Sequence, residues 1–145
     1  MPILRRKPET RGGFTLIELM VVIFIVAILA AVLVAFVQRR IDEAKWAEAC
    51  TTAGTIRVAV RAYAAGTSIA TAQTLVGANL DDTDTQTLLG FLSQDCEGTY
   101  FEPGDYTITS IGADGKAVIT VTGGSKANSP TGSYVLQTDG TWEKQ

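Results

Sequence analysis

The chain contains no histidine and only two cysteines among its 145 residues. The missing histidine removes the most common general base of enzymes and the most common metal ligand of proteins. Two cysteines, Cys50 and Cys96, cannot form a structural zinc site without other ligands. These absences argue against an enzyme, and the sequence predicts no catalytic residue, no metal site and no cofactor.

The two cysteines leave two interpretations open. An even cysteine count fits one disulfide bond in an oxidising compartment, and a bond between Cys50 and Cys96 would stabilise the fold by about 3–4 kcal/mol. Two unpaired thiols account for the composition equally well. The sequence therefore gives a possible disulfide without deciding whether it forms.

Charge is unevenly distributed along the chain, whose formal net charge is -3. Residues 1–13 have a net charge of +3, whereas residues 47–145 contain five basic and eleven acidic residues, for a net charge of -6. No broad basic surface is expected, so nucleic acid is not a predicted partner. A basic start and an acidic remainder are typical of a chain whose ends lie on opposite sides of a membrane.

One long apolar block dominates the first third of the chain. Of the 24 residues from 14 to 37, 22 are apolar, and only Thr15 and Glu18 interrupt them. As a helix this block would be about 36 Å long, enough to cross a hydrocarbon core of about 30 Å. It is too long for the apolar core of a removable secretory signal. The sequence predicts one membrane-spanning helix, with the basic N-terminus in the cytoplasm.

Glu18 is the unusual residue of this block. A charged side chain at the centre of a bilayer costs about 2.5–3.5 kcal/mol, and less near a helix end. One interpretation is a helix-terminal glutamate that the helix dipole favours. The other is a carboxylate that pairs with a cation from elsewhere. Cleavage after Gly13 would give Phe14 a free amine, charged near neutral pH, which Glu18 of a neighbouring subunit would accept.

The stretch from Arg11 through Gly12, Gly13 and Phe14 to Ile23, with its continuation over residues 27–31, resembles the type IV prepilin family. This family includes type IV pilins and the pseudopilins of type II secretion. The resemblance implies that a prepilin peptidase cleaves between Gly13 and Phe14 and N-methylates Phe14. It also implies that Glu18, with Thr15 beside it, serves filament assembly, in which the N-terminal helices pack as the filament core.

The resemblance also implies partners and a location. The partners would be other copies of the chain and related pilins in a helical filament, the prepilin peptidase, an inner-membrane assembly platform and the membrane. The precursor would lie in the bacterial inner membrane, with its globular part periplasmic or extracellular. The chain has no proline between Pro8 and Pro103 and no C-terminal cysteine pair. These departures favour a pseudopilin slightly over a major pilin, and leave major pilin, minor pilin and pseudopilin all open.

Two functions outside this family compete with a filament subunit. A single-pass membrane-anchored binding module that does not polymerise is the main alternative. An anchored extracytoplasmic enzyme is disfavoured, because the sequence has no histidine and no convergent catalytic set.

Beyond residue 37 the apolar residues recur first at helical and then at strand spacing. Steps of three and four positions predict an amphipathic helix over 38–65. Strands are predicted at 106–111, 117–122 and 133–137, with a short fourth at 141–142. The fold class is therefore α+β, a long helix packed on an antiparallel sheet of three or four strands. The predicted helix stripe comprises Trp46, Ala49, Cys50, Ala53, Ile56, Val60 and Tyr63.

The predicted organisation is a basic leader over 1–13, removed on processing, a transmembrane or filament-core helix over 14–37, the amphipathic helix over 38–65 and a globular domain over 66–145. Within the last region, short helices are expected at 71–76 and 85–92. An acidic cluster of Asp81, Asp82 and Asp84 precedes the second of them. We favour helix caps and a solvated loop over a calcium site here, because the spacing lacks the glycine and distal glutamate of an EF-hand.

Overall fold

The computed structural model describes residues 13–145, so residues 1–12 of the predicted leader lie outside the described range. The chain divides into two compact units, one ending at Arg39 and one covering Arg40–Gln145. We call residues 13–39 the apolar unit and residues 40–145 the head unit. In chain order, the elements are the helices α1 (Leu16–Gly66), α2 (Ile69–Gln73) and α3 (Thr83–Leu89), a 3-10 turn (Pro103–Asp105) and the strands β1 (Tyr106–Ile111), β2 (Ala117–Gly123), β3 (Gly132–Leu136) and β4 (Trp142–Lys144).

Helix α1 contains 51 residues and contributes to both units. It contains no proline, and its only glycine before the final residue is Gly54. Within the apolar unit every residue of α1 is exposed. The helix is long and apolar enough to cross a membrane. Since a contiguous apolar surface of this kind is rarely left in water, the apolar unit needs a cover that residues 13–145 of one copy do not supply.

In the head unit, α1 buries one stripe of side chains at helical spacing. The predicted stripe is confirmed, with a shift at its edges: Cys50 and Tyr63 are only half-buried, and Ala64 is buried. Small residues along the stripe allow the rest of the core to approach the helix backbone closely. The buried members of the stripe are Trp46, Ala49, Ala53, Ile56, Val60 and Ala64.

The predicted antiparallel sheet is confirmed, with four strands in the order β1-β2-β3-β4. The turn between β1 and β2 is closed by Gly115, whose backbone has φ +74° and whose N–H donates to the carbonyl of Gly112. Together, the stripe of α1 and the inward side chains of the sheet share one hydrophobic core. This arrangement is the α+β fold that the sequence predicts.

Strand β1 departs from the strict alternation of its sequence. Alternation from Tyr106 and Ile108 would turn Ser110 into the core, but a bulge between Ile108 and Ser110 shifts the register. The strand therefore buries Ile111 and leaves Ser110 exposed. A bulge of this kind keeps an apolar side chain inside at the end of the strand.

The two short helices begin two residues earlier and end three residues earlier than predicted. Helix α2 begins after Ser68, whose side chain accepts a hydrogen bond from the N–H of Thr71. Helix α3 ends at Gly90, which adopts a left-handed conformation with φ 77°. These caps fix both elements, because Ser is a favoured N-cap residue and Gly a favoured residue just beyond a helix end.

The core of the head unit predicts a specific loss of stability. Ile56 is fully buried, so Ile56→Ala should lower the free energy of unfolding by about 2–5 kcal/mol. Urea unfolding of the detergent-solubilised full chain, followed by tryptophan fluorescence, measures this change, because Trp46 packs in the same core. The control is Val58→Ala on the same helix, where the side chain is 67% exposed and little change is expected. Equal midpoints for the two variants would contradict the assigned helix face.

Candidate functional site

The candidate site is the first turn of α1, where Thr15 precedes the helix and Glu18 is its third residue. The N–H of Glu18 donates to Oγ1 of Thr15 over 3.3 Å, and the N–H of Thr15 donates to Oε2 of Glu18 over 3.0 Å. This reciprocal pair is a capping box, which satisfies two backbone donors that a helix start otherwise leaves free. Thr15 and Glu18, predicted as assembly residues, are therefore in direct contact.

A third hydrogen bond holds the Glu18 side chain over the helix start. Oγ1 of Thr15 donates to Oε2 of Glu18 over 2.8 Å. Both bonds that the carboxylate receives fall on Oε2, and Oε1 receives neither. A carboxylate in this position is also favoured by the positive end of the helix dipole. The helix start thus orients Glu18 while leaving one carboxylate oxygen for another donor.

The capping box is a local feature that the Sequence analysis missed. A threonine followed three residues later by a glutamate, directly before an apolar run, is a helix-start signature in its own right. The dipole interpretation of Glu18 pointed to the right place in the helix. The reciprocal bonds with Thr15 add the reason why these two residues occur together.

The residues on either side of the predicted cleavage site are open to the surroundings. Phe14 is 84% exposed. A Cβ atom added at Gly13 would meet no atom of residues 13–145 within 4 Å, and Gly13 has no backbone conformation that requires glycine. The fold of a single copy therefore does not explain why residue 13 is a glycine.

The two cysteines are free thiols in this structure, and the disulfide stays a prediction. Cys96 is buried, and burial together with the neighbouring Asp95 carboxylate raises the pKa of its thiol to about 11. Cys50 is half-buried and lines a cavity of about 510 Å³ beside Trp46 and Trp142. The two thiols therefore have different access to reagents.

Within the acidic cluster, Asp82 acts as the cap of α3. Its carboxylate accepts hydrogen bonds from the hydroxyl of Thr85 over 2.7 Å and from the N–H of Thr85 over 3.2 Å. These bonds lower the pKa of Asp82. The pKa of Asp82 in the folded state lies below its pKa in the unfolded state. Ionised Asp82 therefore stabilises the fold fully at a pH above the unfolded-state pKa, and this stabilisation is lost as the pH falls through the folded-state pKa. Across residues 13–145, no three acidic or cysteine side chains are grouped to hold a metal ion.

The comparison with known families supports the resemblance drawn from the N-terminal residues. Residues 10–34 match the family model described as the prokaryotic N-terminal methylation motif. This match confirms that the chain carries a prepilin-type N-terminus. No curated protein and no solved structure matches the chain.

The environments of the two cysteines predict their order of reaction. Near neutral pH, without reductant, iodoacetamide should alkylate Cys50 well before Cys96 in the folded full chain, because the thiolate is the reactive form and Cys96 is buried with a raised pKa. Peptide mass spectrometry over time measures the two rates, and denatured protein is the control in which both react. If neither cysteine reacts until a reductant is added, the two form a disulfide.

Proposed function

From the prepilin-type motif at residues 10–34, we propose that this protein is a filament subunit of a type IV pilus or a type II secretion pseudopilus. Prepilin peptidase cleaves the precursor between Gly13 and Phe14 and methylates the new amine of Phe14. The processed chain then polymerises through α1. The protein is a structural component in this proposal, and not an enzyme.

The observation that carries the proposal is an exposed apolar helix at whose start Thr15 orients the carboxylate of Glu18 through hydrogen bonds. All of α1 in this unit is exposed, so its apolar surface faces outward in every direction. A helix that is apolar all round is suited to a membrane or to the interior of a large assembly. A plain anchor needs only the membrane, whereas a filament subunit moves from lipid to a core built of other copies.

Processing accounts for features of the N-terminus that the fold leaves unexplained. Among residues 13–145 no atom limits the size of residue 13, so the reason for its small size lies outside these residues. A peptidase active site that must approach the backbone closely gives such a reason. Phe14 on the other side of the bond is exposed and accessible to the enzyme.

Glu18 has two roles in this proposal. In the precursor its Oε2 completes the capping box with Thr15. After cleavage, the carboxylate pairs with the charged amine of Phe14 from an adjacent copy. An unpaired charge is strongly disfavoured in an apolar filament core. Each incoming copy is therefore stabilised when it neutralises a charge on a copy already in place.

The proposal also assigns a location and partners. The precursor lies in the bacterial inner membrane as a single-pass protein with its N-terminus in the cytoplasm, and its head unit lies in the periplasm or outside the cell. The partners are other copies of the chain, related pilins, the prepilin peptidase and an inner-membrane assembly platform. The main competing function is a membrane-anchored binding module that does not polymerise, which would retain its N-terminal residues.

Processing predicts a defined mass for the mature protein. The chain purified from its host should have the mass of residues 14–145 plus one methyl group, as measured by intact-mass spectrometry. The matched control is Gly13→Val, which should remain uncut while the head unit keeps its stability, because a Cβ at position 13 meets no atom. A wild-type chain that remains uncut where the peptidase is present would support the binding module instead.

The two roles of Glu18 can be separated by two substitutions. Glu18→Gln keeps a side-chain oxygen for the capping box but removes the charge, so it should insert into the membrane and fail to form filaments. Thr15→Val removes the hydroxyl of the cap but keeps the carboxylate, so it should still assemble. Electron microscopy measures whether each variant forms filaments, and membrane fractionation is the control that shows whether it inserts into the membrane. Normal filaments from Glu18→Gln would refute charge pairing.

A further inference from the structure

Residues 47–145 of the head unit hold most of their few positive charges at one place. Three of the five basic residues in 47–145, Arg57, Arg61 and Lys116, line a single cavity of about 250 Å³. Val58, Thr138 and Asp139 complete the lining of this cavity, which we call the cationic pocket. The rest of residues 47–145 has a strongly negative net charge, so the pocket is a positive site on an otherwise acidic region.

The bonds of these residues leave the two guanidinium groups without an ionic partner. Lys116 forms a salt bridge with Asp114 at 3.0 Å. Arg57 donates through Nη1 to the carbonyl oxygen of Gln137 at 2.9 Å. Within residues 13–145, neither Arg57 nor Arg61 forms a salt bridge.

One oxygen of the carboxylate that lines the pocket is already engaged. Asp139 accepts hydrogen bonds from both the hydroxyl and the N–H of Thr141, at 2.7 and 2.9 Å. These bonds are the main cause of the lowered pKa of Asp139, and the positive charge of Arg57 makes the smallest contribution to it. Asp139 therefore offsets only part of the positive charge around it.

The arrangement is not explained by the stability of the helix. Arg57 and Arg61 lie four residues apart on α1, a spacing that places two side chains side by side, and like charges at this spacing destabilise a helix. A guanidinium group binds a carboxylate through two parallel hydrogen bonds. The pocket is therefore suited to carboxylates that come from outside the chain.

The same head unit presents free carboxylates at another place. Asp81 and Asp84 are exposed, and among the described residues their side chains accept no hydrogen bond. Asp82 lies between them and caps α3, so the patch has three carboxylates of which two are available. We call these three residues the acidic patch.

The strand β1 separates the two charged features. The acidic patch lies beside the first residue of β1, because the N–H of Leu80 donates to the carbonyl of Tyr106. Lys116 lies at the other end, because the next residue, Ala117, pairs with Ile111, the last residue of β1. A six-residue strand is roughly 17 Å long from first to last Cα. The two features therefore cannot pair within one copy.

We propose that the cationic pocket of one copy binds the acidic patch of the next copy, with Arg57 and Arg61 facing Asp81 and Asp84. Two different surfaces of one chain that bind each other make a heterologous contact, and such contacts form an open helical filament when the rotation between copies does not close a ring. This contact also opposes the repulsion between acidic head units. The inference rests on the proposed filament function, and it assigns the head unit a part in setting the order of copies.

The test is a charge exchange in the full chain, expressed in its host. Arg61→Glu and Asp84→Lys should each reduce the amount of filament by at least about tenfold, because each places like charges together. The double variant should restore assembly, since it exchanges the charges across the same contact. This restoration also shows that the altered chains fold. Matched controls are Lys144→Glu and Glu143→Lys, which make the same charge changes at exposed positions outside both surfaces.

The outcomes separate this inference from the filament function. If both single variants assemble like the wild type, or if the double variant fails to recover, the head contact is wrong. In that case Glu18→Gln still tests whether the helix assembles filaments. If the wild-type chain forms no filament in its host, the filament function and the head contact are both refuted.

Discussion

The structure depends on one constraint: nearly half of α1 is an apolar surface that residues 13–145 of one copy do not cover. Burial of apolar area is the main favourable term in folding and association. The apolar area of this segment is not buried among residues 13–145, so only lipid or other molecules could bury it. The head unit buries apolar residues in one core of its own, but residues 16–37 do not take part in it. The function of the protein therefore follows from what covers this segment.

Helix α1 meets two different requirements along one continuous backbone. From Leu19 to Val37 its side chains are apolar all round, whereas in the head unit they form one buried stripe with exposed or half-buried residues elsewhere. Ala49 and Ala53 add little side-chain volume to the stripe. Trp46 supplies a large ring, whose centroid lies 5.1 Å from that of Phe101 and 4.5 Å from that of Tyr134. The same secondary structure thus serves both a general apolar environment and a specific core.

Polar groups carry the specificity that apolar surface cannot provide. Hydrophobic contact is not directional, so an apolar helix alone does not fix how copies align. At the start of α1, Glu18 is oriented by Thr15 and provides a charged end point. In the head unit, the cationic pocket and the acidic patch provide a second pair of opposite charges at a fixed separation. In the filament that we propose, these features give a non-directional assembly force a defined register.

The sequence by itself determined the membrane-type helix, the prepilin-type start, the stripe of α1 and the four strands, because each depends on the local spacing of side chains. Even the capping box was readable from Thr15 and Glu18. Only the tertiary structure decided the bulge that buries Ile111, the different environments of Cys50 and Cys96, and the meeting of Arg57, Arg61 and Lys116. These depend on which elements pack together over long sequence distances, and the spacing of residues along a chain does not encode that packing directly.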